Sequence, residues 1–166
     1  MNMHHKAAAA SIAAICLGSI LSGCGRPAVG ADPKPTSGPT PVPHVVSAYA
    51  SLAQPLLSES VGEVTTLLAQ MKHDQVSEAG NQCTLVGGDL SNMFSTFQGI
   101  YHPHQADQSS RLGSSGFKLI LSSTEECSIA SDQGSKKAMK VARADMWSGL
   151  KQLRSAASAI QGWSAS

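Results

Sequence analysis

The chain has 166 residues, of which 42% are hydrophobic, 14% charged and 4% aromatic, and its 12 Lys and Arg against 11 Asp and Glu leave a net charge of +1. That length fits one domain of ordinary size. The near-neutral balance lacks the electrostatic footprint of a general nucleic-acid binder, and four Cys are too few for a disulfide-dense miniprotein.

The N-terminus reads as a targeting segment. Lys6 is followed by an uncharged apolar run from Ala7 to Leu21, shorter than the about 20 residues of an ordinary spanning helix. The run ends in Leu21-Ser22-Gly23-Cys24. This segment resembles the bacterial lipoprotein signal peptide, whose lipobox reads Leu, a small residue, Gly or Ala, then Cys. The resemblance covers residues 1–24 and says nothing of the domain beyond. It implies a signal peptide over 1–23, a diacylglycerol on the Cys24 sulfur, and Cys24 as the first mature residue. One acyl chain anchors marginally and two or three anchor stably. The residue after Cys24 is Gly25, not the Asp that some bacteria read as an inner-membrane retention signal. The expected location is therefore a bacterial membrane with the domain outside the cytoplasm.

Residues 24–44 follow as the lipidated Cys and a tether. Pro27, Pro33, Pro35, Pro39, Pro41 and Pro43 remove backbone donors and restrict their neighbours. An extended spacer is expected, reaching on the order of 60 Å at ~3.1 Å per residue.

From residue 45 to 163 the apolar residues step by three and four, and no segment alternates as a strand does. Helices are expected over about 45–73, 75–100, 115–131 and 135–162. The first stripe is Val45, Tyr49, Leu52, Leu56, Ser60, Val64, Leu67 and Met71; Pro55 interrupts that helix and predicts a kink or a split. The second is Val76, Ala79, Cys83, Val86, Leu90, Met93 and Phe97, where Gly87-Gly88 weakens the helix or admits a close neighbour. The third is Phe117, Leu121, Thr124 and Cys127, after a longer polar connection from Tyr101 to Gly113. The fourth is Met139, Ala142, Met146, Leu150, Leu153, Ala157 and Ile160. An all-α, up-down-up-down antiparallel four-helix bundle satisfies the pattern.

With Cys16 removed and Cys24 acylated, Cys83 and Cys127 remain in an exported domain that can oxidise. Cys83 lies ~26 Å of helix before Ile100 and Cys127 ~18 Å after Ser115. On an antiparallel hairpin those heights are similar, so a disulfide is expected.

No motif for a nucleophile elbow, a phosphate loop or a metalloprotease helix is present, and no catalytic residue is assigned. Glu125 and Glu126 are adjacent on a helix and point about 100° apart, as solvated charges do. One end of the bundle gathers His44, His102, His104 and Trp163, with Asp107 nearby; imidazoles suit Zn or Cu, which makes a metal carrier one alternative. His73 falls at the opposite end, and no His lies on an apolar stripe, as a haem in the core would need. A second alternative is a small-ligand carrier using the bundle core.

The fourth helix carries Lys136, Lys140, Arg143, Lys151 and Arg154 in one stripe, with Trp147 in line and Asp145 as the helix's one acid. A basic face with a central aromatic suits anionic lipid, an anionic envelope polymer or an acidic protein. The leading expectation is thus an envelope lipoprotein that acts by binding, held to membrane lipid by its acyl anchor. Cys24→Ser is expected to release the protein from membranes or leave its precursor uncut; labelled palmitate still entering the Cys24→Ser protein contradicts the assignment.

Overall fold

A computed structural model describes residues 42–72 and 76–163, all within the compact unit Pro39–Ser166. The signal peptide, Cys24, the tether as far as Pro41 and His73 lie outside the described residues. Four helices follow in order: α1 (His44–Gln70), α2 (Val76–Gly99), α3 (Asp107–Asp132) and α4 (Lys136–Gln161), with a single 3-10 turn at His104–Ala106. Each helix packs on the next and α1 also packs on α4. With short connections throughout, this is an up-down-up-down four-helix bundle, and no strand occurs among the described residues. No described helix is long and apolar enough to cross a membrane.

The core is a single cluster fed by all four helices. Phe117 stands at its centre, 5.4 Å from the Phe94 ring and 5.5 Å from the Phe97 ring. Leu57, Leu67, Leu90, Ile120, Met146 and Leu150 are fully buried in the same cluster. On α4 the inward residues are Met139, Ala142, Met146, Leu150, Leu153, Ala156 and Ile160, the expected stripe with Ala156 taking the place of Ala157.

Small residues set how closely the helices approach. A Cβ on Gly149 would lie 2.5 Å from Ile120 Cγ1 and 2.9 Å from the Gly116 carbonyl oxygen. A Cβ on Gly116 would in turn lie 3.0 Å from the Gly149 oxygen. The α3 and α4 backbones therefore meet with nothing between them, and this is the most extensive helix pair. Between α2 and α3, Gly80 faces Ser131 and Gly87 faces Thr124, one heptad apart on both helices and running in opposite directions. Gly87 thus admits a neighbour, whereas Gly88 faces open space. Between those two contacts the Cys83–Cys127 disulfide closes, with Cα atoms 6.1 Å apart, and Thr84 Oγ1 lies 3.1 Å from Ser128 Oγ.

The turn from α3 to α4 is built from sequence-local chemistry. Gly134 takes φ +61°, the left-handed conformation that costs glycine least. The Ser135 N–H then donates to the Ala130 carbonyl and the Gly134 N–H to Ser131, closing the end of α3 as a Schellman motif does. The Ser135 hydroxyl accepts from the Ala138 N–H at 3.3 Å and opens α4.

Three expectations are corrected. The polar connection Tyr101–Gly113 is mostly helix: α3 begins at Asp107, not near 115. The run from Gln108 to Gly116 is rich in Ser and Gly and has weak propensity, yet Ser109, Gly113 and Gly116 are buried because only small side chains fit there. A Cβ on Gly113 would lie 2.6 Å from Phe97 Cζ. In the first half of the α1 stripe Tyr49 is buried as expected, but Val45 and Leu52 are 52% and 60% exposed, while Val46, Ala50, Ala53 and Leu57 are buried. Pro55 does not split α1, which runs unbroken from His44, the residue assigned above to the tether. Pro55 and Ser51 are both exposed, so the carbonyl left without a helical donor is open to water.

The disulfide closes a loop with a sequence separation of 44, for which chain entropy gives a stabilisation of ~4 kcal/mol. Cys83 and Cys127 are expected to resist alkylation in the denatured protein until it is reduced, and reduction is expected to lower the Tm by on the order of 15 °C. Alkylation of both residues without reductant contradicts the bridge.

Candidate functional site

The basic stripe of α4 follows from its amphipathic repeat. Lys136, Lys140, Arg143, Trp147, Lys151 and Arg154 fall within an arc of roughly 80° when plotted at 3.6 residues per turn. Lys136, Lys140, Lys151 and Arg154 are exposed and Arg143 is half-buried. Trp147 is 36% exposed and stands outside the core cluster. Asp145 is half-buried and projects from the opposite side of the helix. Among the described residues none of the five cations forms an ion pair; the two salt bridges present are both from histidine. Arg154 Nη2 donates to Thr65 Oγ1 of α1 at 3.2 Å, which places the lower end of the stripe along the seam between α4 and α1. Five positive charges, unneutralised and flanking one exposed indole, form a surface suited to a polyanion.

The histidine end is arranged differently from the expectation. His104 Nδ1 donates to Asp107 Oδ2 at 2.6 Å, and His102 Nε2 lies 3.8 Å from Asp107 Oδ1. Both imidazoles thus address one carboxylate, which sits in the first turn of α3 where a negative charge is favoured. No group of three or more His, Cys, Asp or Glu among the described residues is placed to hold a metal ion. His44, His102 and His104 do not form such a group; His102 and His104 share Asp107 instead. Trp163 packs against the core, closing that end of the bundle. Glu125 and Glu126 are exposed, as expected for solvated charge.

Two buried polar groups stand out. Tyr49 is 2% exposed and its hydroxyl has no aligned hydrogen bond. Burial raises the Tyr49 pKa, opposed by the neighbouring Ser109 and Ser110 hydroxyls. Glu63 on α1 has one carboxylate oxygen buried without a partner. Burial, and then repulsion from Asp89 and Glu59, raise its pKa. The α1–α2 seam is therefore acidic while the α4 stripe is basic.

Sequence reasoning missed one cluster. Arg111 and Lys118, with Ser114 and Ser115 between them, line a groove on α3 that His102 borders. Their spacing of seven was visible, but it gained meaning only once α3 was known to begin at Asp107. Compared with family profiles, curated proteins and solved structures, the chain matches none.

Proposed function

We propose that this chain is a lipid-anchored protein of the bacterial cell envelope whose helical bundle works by binding, through the basic face of α4, to an anionic envelope polymer or an acidic protein. The observation that carries the reading is the uncompensated stripe of Lys136, Lys140, Arg143, Lys151 and Arg154 with Trp147 exposed in its line. About a third of the Trp147 surface is left open within the stripe, so its indole can add an aromatic contact beside the charges. The anchor rests on the Leu21-Ser22-Gly23-Cys24 resemblance. The Cys83–Cys127 bridge supports an oxidising compartment, since such bonds persist outside the cytoplasm. The Pro-rich stretch after Cys24 would hold the bundle clear of the headgroups, with α4 free to meet a partner.

Binding to an immobilised anionic cell-wall polymer is expected to weaken as salt rises, because exposed charges are screened within ~10 Å at 0.1 M. Lys140→Glu with Lys151→Glu, both at exposed positions, is expected to abolish it while leaving the Tm nearly unchanged, since exposed substitutions cost within about 0.5 kcal/mol. Trp147→Ala is expected to reduce binding further than its loss of packing alone accounts for, read at a temperature where the variant is fully folded. Equal retention of the charge-reversed and native proteins contradicts the proposal.

A further inference from the structure

A second positively charged surface lies on α3, away from the α4 stripe. It is a groove of about 450 Å³ lined by His102, Ser110, Arg111, Ser114, Ser115 and Lys118. Every functional group in that lining is able to donate a hydrogen bond, two are permanent cations at neutral pH, and no carboxylate lines the groove. Arg111 and Lys118 form no ion pair among the described residues. They are separated by two helical turns, ~10.5 Å along the axis, with Ser114 and Ser115 midway. Both side chains are long enough to bring their charged heads together above the two serines.

One residue of the lining, Ser110, also neighbours a buried phenol. Tyr49 reaches from α1 to Ser109 and Ser110, and its buried hydroxyl ends there without an aligned hydrogen bond. Ser109 is committed, donating to the Ala106 carbonyl at 2.9 Å. Ser110 is the residue that both neighbours Tyr49 and faces the groove. The Ser110 hydroxyl keeps its proton for an acceptor in the groove and its oxygen for a donor on the protein side.

We infer that this groove is a binding site for a phosphate group, with Arg111 and Lys118 neutralising it and Ser110 and Ser114 donating to its oxygens. A guanidinium alone satisfies the two oxygens of a carboxylate. The donors here are spread over two turns of helix, which suits a tetrahedral anion with more than two acceptor oxygens. His102 borders the rim with its Nε2 on the side of Asp107, 3.8 Å from Oδ1.

The same chemistry is offered by soluble phosphate and by a phosphomonoester lipid headgroup, and two probes separate them. The full chain is titrated with inorganic phosphate, read by the ligand's phosphorus resonance and by the Tm, with acetate at matched ionic strength as comparator. It is also mixed with vesicles of phosphatidylcholine, with and without phosphatidic acid. Saturable phosphate binding that acetate does not reproduce is expected, weakened at least tenfold by Arg111→Gln with Lys118→Gln. Lys140→Gln on α4 is expected to leave it unchanged, which keeps this site distinct from the α4 face. Binding to phosphatidic acid vesicles alone, lost in the Arg111 and Lys118 variant, assigns the site to a headgroup. The inference is overturned if neither probe binds, or if the double variant binds both as the native protein does.

Discussion

The crossing of α3 and α4 at Gly116 and Gly149 is the constraint on which the rest of the bundle depends. The two backbones are close enough that a methyl group on Gly149 would meet the Ile120 side chain at 2.5 Å and the Gly116 carbonyl at 2.9 Å. Packing this tight fixes both the height and the rotation of α4 against α3. Rotation is what matters for the surface: with Gly149, Leu150 and Leu153 buried, the residues at 136, 140, 143, 147, 151 and 154 are turned away from α3 and toward solvent beside α1. A register shift of one residue would rotate the cationic stripe by about 100° and bury part of it.

The bundle is not uniformly tied. α2 is locked to α3 by the Cys83–Cys127 bridge and by the Gly80 and Gly87 approaches, and α3 to α4 by the glycine crossing. α1 has no such device. It is held by apolar contacts, by Arg154 donating to Thr65 and by Ser60 Oγ at 3.1 Å from Met93 Sδ, and its pairing with α2 is the least extensive of the four. The α1–α2 seam also carries the unpartnered Glu63 oxygen against Asp89. Glu63 has its pKa raised in the fold, so its contribution favours the folded state below its unfolded pKa and is lost as pH rises through the folded value. At neutral pH that seam works against the bundle, whereas the three-helix part from α2 to α4 carries the stronger restraints.

Much of this was legible in the sequence, because an amphipathic helix writes its buried face at steps of three and four. The α4 stripe Met139, Ala142, Met146, Leu150, Leu153 and Ile160 is buried as the spacing indicated, and the paired cysteines sit where an antiparallel hairpin brings them. What failed did so for physical reasons. The start of α3 is written in Ser and Gly, which resemble a loop by propensity but here are the only side chains small enough for the space left by Phe97 and its neighbours. In α1, Val45 and Val46 are adjacent, and periodicity alone could not choose between them; the neighbours bury Val46. The histidines were grouped by helix ends, a level too coarse to show that two of them share Asp107. The groove at Arg111 and Lys118 was hidden behind the misplaced start of α3. The α4 face was readable because charge on an amphipathic helix follows the same period as its core.

The glycine crossing is tested most directly by a pair of single substitutions read by thermal unfolding. Gly149→Ala places a methyl group against Ile120 and the Gly116 carbonyl, whereas Gly88→Ala places one in open space on α2. Overpacking costs about 1–3 kcal/mol, while replacing an exposed helical glycine gains roughly 0.5–1 kcal/mol. The expected result is opposite signs, a lowered Tm for Gly149→Ala and a raised Tm for Gly88→Ala. A Gly149→Ala protein as stable as Gly88→Ala would contradict the close crossing and, with it, the fixed orientation of the α4 face.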